Sequence, residues 1–145
     1  MHRLTAAALL LLPGAAAHGQ AAATPEQRAP GRGTAAYAAC LDRAGGVTPA
    51  MVQCSNEEAG RWDRRLNAAY GGIMRDPGWN AETKALLRDA QRAWIAYRDR
   101  SCAAQGELAA EGGTLSRIIA ADCVARLTAD RAAELEETQR GAAGR

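Results

Sequence analysis

An all-α domain, a small disulfide-stapled bundle of antiparallel helical hairpins, is predicted by three features of this 145-residue chain. Apolar residues recur at steps of three and four over long stretches, glycine pairs and a DPGW turn separate those stretches, and the cysteines stand at matched distances from two of the turns. The chain has no Phe, three Trp and three Tyr. With so few large side chains the core must be thin and rich in alanine, so its stability per residue is modest and covalent staples suit it.

The first segment reads as an export signal rather than as part of the fold. His2 and Arg3 give a positive start, Leu4 to Leu12 an apolar run too short to span a bilayer, and Ala15 to Gly19 a small-residue end suited to signal peptidase. Residues 1–19 are therefore expected to be removed, with cleavage after Ala17 or after Gly19. No cysteine lies at this junction, which disfavours a lipid anchor, and the shortness of the apolar run disfavours a stable membrane anchor, so a periplasmic or secreted protein is expected. Residues 20–33, rich in Ala, Pro and Gly without an apolar period, are expected to be a flexible linker. The helical domain is expected over residues 34–140, followed by a polar tail at 141–145.

Within the domain a short helix starts at Thr34 and ends at Gly45-Gly46, which supply the backbone freedom of a helix end. Thr48-Pro49 restarts the chain, with threonine expected as the N-cap and proline in the first turn. The second helix carries Trp62, Leu66, Ala69 and Ile73 on one face and stops before Asp76-Pro77-Gly78. Gly71-Gly72 are expected to weaken its last turn by roughly 1 kcal/mol each relative to alanine. Asn80 caps a long third helix, with Glu82 favourably placed in its first turn. On that helix Leu87, Ala90, Trp94, Tyr97, Ser101 and Leu108 form the stripe expected to face a partner helix, with Trp94, Arg98 and Cys102 on a line beside it. Glu111-Gly112-Gly113 end it. Thr114 opens a fourth helix whose Ile118, Ala121, Ala125, Thr128, Ala132 and Leu135 again step by three and four.

Charge excludes one class of partner. The chain has 18 Lys plus Arg against 16 Asp plus Glu, and loss of the leader with Arg3 leaves a net charge of +1. A near-neutral domain has no electrostatic footprint for nucleic acid, and the local group Arg61, Arg64 and Arg65 around Trp62 reads as a solvated helix face.

Four cysteines in an exported chain point to disulfides rather than metal, and no His remains in the helical body to complete a zinc site. Cys40 and Cys54 are equidistant from the first turn, and Cys102 and Cys123 from the last, so each pair faces across its own hairpin. Cys40–Cys54 with Cys102–Cys123 is the favoured connectivity. The other two of the three arrangements stay open on spacing alone.

The residues Cys54, Asp63, Leu66, Asn67 and Tyr70, then Ala90, Gln91, Trp94, Tyr97, Arg98 and Cys102, Gly112 and Gly113, and finally Cys123, Thr128, Arg131 and Leu135 carry a resemblance. Together they resemble the LprI-type lysozyme-inhibitor domain family, small exported helical proteins, over about residues 40–135. The chain departs from that pattern at Gly71-Gly72 and carries no lipobox. The resemblance implies a helical fold and a protein partner of the lysozyme kind, held without turnover.

Read as residues, the motif has a structural role. Asp63, Asn67 and Tyr70 flank the apolar line of the second helix, Gln91, Trp94 and Arg98 that of the third, and Thr128 and Arg131 that of the fourth. These are expected to form an interhelical network in which Asp63 serves Arg98 and fixes register. Catalysis is not expected. The helical body has no histidine base, oxidised cysteines are not nucleophiles, and the carboxylates Glu57, Glu58 and Asp63 read as solvated more readily than as an acid–base pair. No cofactor is implied, because no glycine-rich phosphate loop follows a strand. A partner is expected at a bundle end: first at Gly112, Gly113 and Thr114, second at Trp79 in the DPGW turn. The alternative function is a structural or assembly role in the periplasm.

Overall fold

The computed structural model describes residues 33–143. The expected signal segment, linker residues 20–32 and the end of the tail lie outside the described residues. Among those described there are four helices and no strand: α1 (Ala35–Ala44), α2 (Thr48–Arg75), α3 (Ala81–Ala110) and α4 (Gly113–Ala143). α4 thus continues into the residues expected to form the tail.

Local signals explain most boundaries. Thr34 caps α1 by accepting the Tyr37 N–H at 3.1 Å, and Gly45 ends it in the left-handed region with φ 56°. Asn80 caps α3 through Thr83 N–H at 2.8 Å. α2 differs from expectation at its start: Val47 is the N-cap and Thr48 already lies within the helix, with no side-chain cap bond. The glycine turn explains this shift. Val47 N–H bonds the Ala44 carbonyl at 2.9 Å and the Val47 carbonyl accepts from Met51 at 3.0 Å, so the backbone begins the new helix one residue early.

α4 is the central element. It packs closely on both α2 and α3, whereas α2 and α3, although consecutive, approach each other far less. Arg65 of α2 meets Glu136 of α4, and Tyr37 of α1 joins Ser55 to Asp122, so α2 and α4 run parallel. Cys102–Cys123 and Gln91–Arg131 place α3 antiparallel to α4. The core comprises Trp62, Leu66, Ala69 and Ile73 from α2 with Ala129, Ala132 and Leu135 from α4. Tyr70, Trp79, Leu87 and Trp94 close its edges. Gly71-Gly72 lie inside α2 without breaking it, and at Gly72 an added Cβ would meet the Gln139 side chain of α4.

Both disulfides have the nearest-neighbour pairing, with Cα–Cα separations of 5.7 Å for Cys40–Cys54 and 5.4 Å for Cys102–Cys123. Cys40–Cys54 ties α1 to α2. Cys102–Cys123 also sets the rotation of α3 about its own axis, which corrects the expected stripe. Once Cys102 points at α4, Gln91, Trp94 and Arg98 follow it inward, and Ala90, Tyr97 and Leu108 turn to solvent. Leu87, Trp94 and Ser101 of the expected stripe stay on the packed side, so the stripe is rotated rather than replaced.

One turn beyond Cys102, Gly106 is buried at a close approach of α3 to α4. A Cβ there would lie 2.7 Å from the Ser116 carbonyl oxygen and 3.2 Å from the Ala120 Cβ. The closest of these neighbours is backbone and cannot swing away. On an open helix Gly→Ala adds about 1 kcal/mol of stability. Gly106→Ala is expected to lower it by about 1–3 kcal/mol instead, measured by chemical denaturation of the oxidised protein. A gain in stability would show that the α3–α4 contact is looser than described.

Candidate functional site

The most deeply embedded charge is Glu58 of α2, only 1% exposed. Its carboxylate accepts from Thr34 N–H at 2.9 Å, Thr34 Oγ1 at 2.7 Å, Trp62 Nε1 at 2.7 Å and Arg61 Nε at 2.9 Å. Burial pushes its pKa upward, but the donors from Thr34, Trp62 and Arg61 outweigh burial and hold it below the usual glutamate range. A carboxylate engaged in this way is a clasp for the start of α1. Nearby, the Tyr37 hydroxyl donates to Asp122 Oδ1 at 2.9 Å and shares a hydrogen bond with Ser55 Oγ at 2.9 Å. Burial raises the Tyr37 pKa; the Ser55 hydrogen bond opposes this and the Asp122 carboxylate adds to it, so the hydroxyl stays neutral. Glu57 and Asp63 are exposed and separate from this cluster, Glu57 accepting from Gln53 at 3.0 Å.

The motif residues converge on a groove between α2 and α3. Asp63, Asn67 and Tyr70 form one wall, Gln91, Trp94 and Arg98 the other, around a volume of about 370 Å³. α4 braces the second wall: Arg131 Nε donates to Gln91 Oε1 at 3.0 Å and Arg98 Nη1 to Thr128 Oγ1 at 3.4 Å. The Arg98 and Arg131 guanidiniums stand 5.2 and 6.0 Å from the Trp94 ring centroid, within cation–π range. The expected pairing of Asp63 with Arg98 is not formed. Asp63 accepts from Asn67 of its own helix at 2.9 Å, and Arg98 pairs with its neighbour Asp99 at 2.8 Å. The spacing of α2 from α3 explains the difference, since it leaves the Asp63 side of the groove open to solvent.

The arginine cluster is likewise more engaged than a solvated face. Arg65 makes a two-pronged contact with Glu136 at 2.8 Å and stands 4.5 Å from the Trp62 ring centroid. Its planar fork binds α2 to α4 from outside the core.

The glycine end has a different character. Glu111, Gly112 and Gly113 all adopt positive φ, at 46°, 83° and 82°. Glu111 is the α3 C-cap, its N–H bonded to the Glu107 carbonyl at 2.8 Å. Thr114 is exposed beside them. Val47, Leu108 and Leu115 are exposed at this same end, near the Gly45-Gly46 and Gly112-Gly113 turns. Trp79, at the opposite end, is half-buried and packs on the core. Sequence reasoning missed the Glu58 clasp and the apolar group at the glycine end. The four-residue step from Glu58 to Trp62 was the available signal for the clasp.

A family model described as lysozyme inhibitor LprI matches residues 40–135. The chain is also 36% identical over 93 residues to an uncharacterized protein of Rhizobium meliloti (strain 1021), covering 64% of this chain and 56% of that protein. The chain thus spans little more than half the length of that relative. No solved structure matches the chain.

Two substitutions separate the clasp from the groove. Glu58→Gln replaces a saturated acceptor with a group whose amide faces other donors, and is expected to cost about 3 kcal/mol. Because the folded-state pKa of Glu58 is lowered, its stabilisation is present above the unfolded glutamate value of about 4.3 and is lost as pH falls through the folded value. The variant should therefore show a flatter loss of stability in acid. Asp63→Ala is expected to change stability by no more than about 0.5 kcal/mol. Thermal melts across the acid range check both, and equal costs for the two variants would contradict the assignment.

Proposed function

The chain belongs to the lysozyme inhibitor LprI family, and on that premise we propose that it is an exported domain that binds a lysozyme-type muramidase and blocks it without turnover. The glycine end is its contact surface. Lysozyme-type clefts hold paired carboxyl groups around a sugar chain, so a blocker needs a protruding segment with hydrogen-bond donors and apolar anchors. Val47, Leu108 and Leu115 supply exposed anchors and Thr114 a hydroxyl donor. The first turn of α4 begins there and adds amide donors with the positive end of a helix dipole, which suits a carboxylate. The two disulfides support an oxidising location, periplasmic or secreted. None of the described helices is long and apolar enough to cross a membrane.

The observation that carries this reading is the family match over residues 40–135. A periplasmic structural or assembly role is the second reading. It is favoured by charge: a binder of strongly basic lysozymes gains association rate from a negative face, and the mature chain is near neutral.

Titration of chicken, goose and invertebrate lysozymes with the oxidised protein is expected to abolish at least one activity at equivalence, and reduction of the disulfides should restore it. A Val47→Asp/Leu115→Asp variant is expected to inhibit at least tenfold more weakly at an unchanged melting temperature, about 1.4 kcal/mol of binding. Full activity of every lysozyme type at micromolar excess of the oxidised protein would leave the structural role as the better reading.

A further inference from the structure

α3 is 30 residues long, about 45 Å, and among the described helices only α4 packs closely on it. Its opposite face is unusually apolar for a surface. Leu86, Ala90, Ala93, Tyr97, Arg100 and Ala104 follow one another at alternating steps of four and three, and all six are exposed. Leu86 is 66% and Tyr97 60% exposed. Five of these six residues are apolar, where a solvated helix face would carry charges. The alternating step is that of an antiparallel or parallel helix–helix seam.

We propose that this face is the interface of a homodimer in which two α3 helices cross antiparallel at the height of Ile95. The seam is self-complementary in that register alone. Tyr97 of each copy lies opposite Ala93 of the other, and Leu86 opposite Ala104, so every large side chain meets a small one. Ala93, Ala96, Tyr97, Arg100 and Ser101 already line a shallow concavity that can receive the second copy's tyrosine ring. The same register sets Arg100 over Ala90 of the second copy, within reach of that copy's Asp89, and symmetry makes the contact twice. Both charges are available for it. Asp89 has only a 3.9 Å approach from Arg92, and Arg100 has no ion pair among the described residues. Ile95 stands at the middle of α3, so the crossing overlaps the two helices along their full length. It covers Leu108 but leaves Val47, Thr114 and Leu115 of both glycine ends free, pointing in opposite directions.

Sedimentation equilibrium of the oxidised protein is expected to give twice the monomer mass at high concentration. Ala93→Glu, at an exposed site, should give the monomer mass with unchanged helical circular dichroism. Asp89→Arg or Arg100→Asp alone should weaken the dimer about tenfold or more, and the Asp89→Arg/Arg100→Asp double exchange should restore it. A monomer at every concentration would overturn the proposal and leave the face to another protein. So would a dimer that tolerates Ala93→Glu, or a double exchange as weak as its single variants.

Discussion

Much of this fold depends on one steric constraint: α4 must be narrow enough to receive helices on two sides. Ala125, Ala129 and Ala132 are almost fully buried along it, together with Thr128, and Gly106 of α3 lets the backbones meet at Ser116. Small side chains allow close helix approach but bury little apolar area apiece, about 25 cal/mol per Å². The larger contributions come from α2, where Trp62, Leu66 and Ile73 close over the alanines. Such a core has little reserve, and that is the physical reason for the covalent and ionic ties around it.

Those ties act at chosen places rather than everywhere. Glu58 and Cys40–Cys54 both serve α1, which at 10 residues is too short to hold itself helical without tertiary support. Cys102–Cys123 serves α3 and in doing so decides which of its faces is hidden. The outcome is a scaffold whose solvent features are fixed by interactions some distance away: a groove braced by Arg98 and Arg131, a tight three-residue turn at Glu111–Gly113, and an apolar outer stripe. Fixed surface features of this kind suit recognition, because a pre-ordered contact surface loses little entropy on binding.

Helix number, turns and both disulfides were legible in the sequence because each has a local signature. Periodicity marks a helix, Asn80 and Thr34 mark starts, and equal distances from a turn mark facing cysteines. The rotation of α3 was not legible from periodicity, because Leu87-Trp94 and Ala90-Tyr97 lie on adjoining lines with similar spacing. The cysteine on one of those lines was the better guide, since a disulfide fixes direction as well as distance. The Asp63–Arg98 pairing failed for a tertiary reason: α2 and α3 both pack on α4 and stand apart across the groove, a spacing that no local pattern encodes. Glu58 was hidden by its neighbours, since next to Glu57 on a polar stretch it reads as solvated. An isolated glycine within a helix, as at Gly106, was a usable sign of close packing that periodicity overlooks.

Binding through the glycine end, as proposed, would leave the helical body intact and change exchange at that end alone. Amide hydrogen exchange of the oxidised protein, alone and with an inhibited lysozyme, tests it most directly. Added protection is expected around Val47 and from Leu108 to Leu115, with the amides along the α2–α3 groove unchanged. Protection confined to the groove around Asp63, Asn67 and Arg92, with the glycine end still exchanging freely, would contradict it.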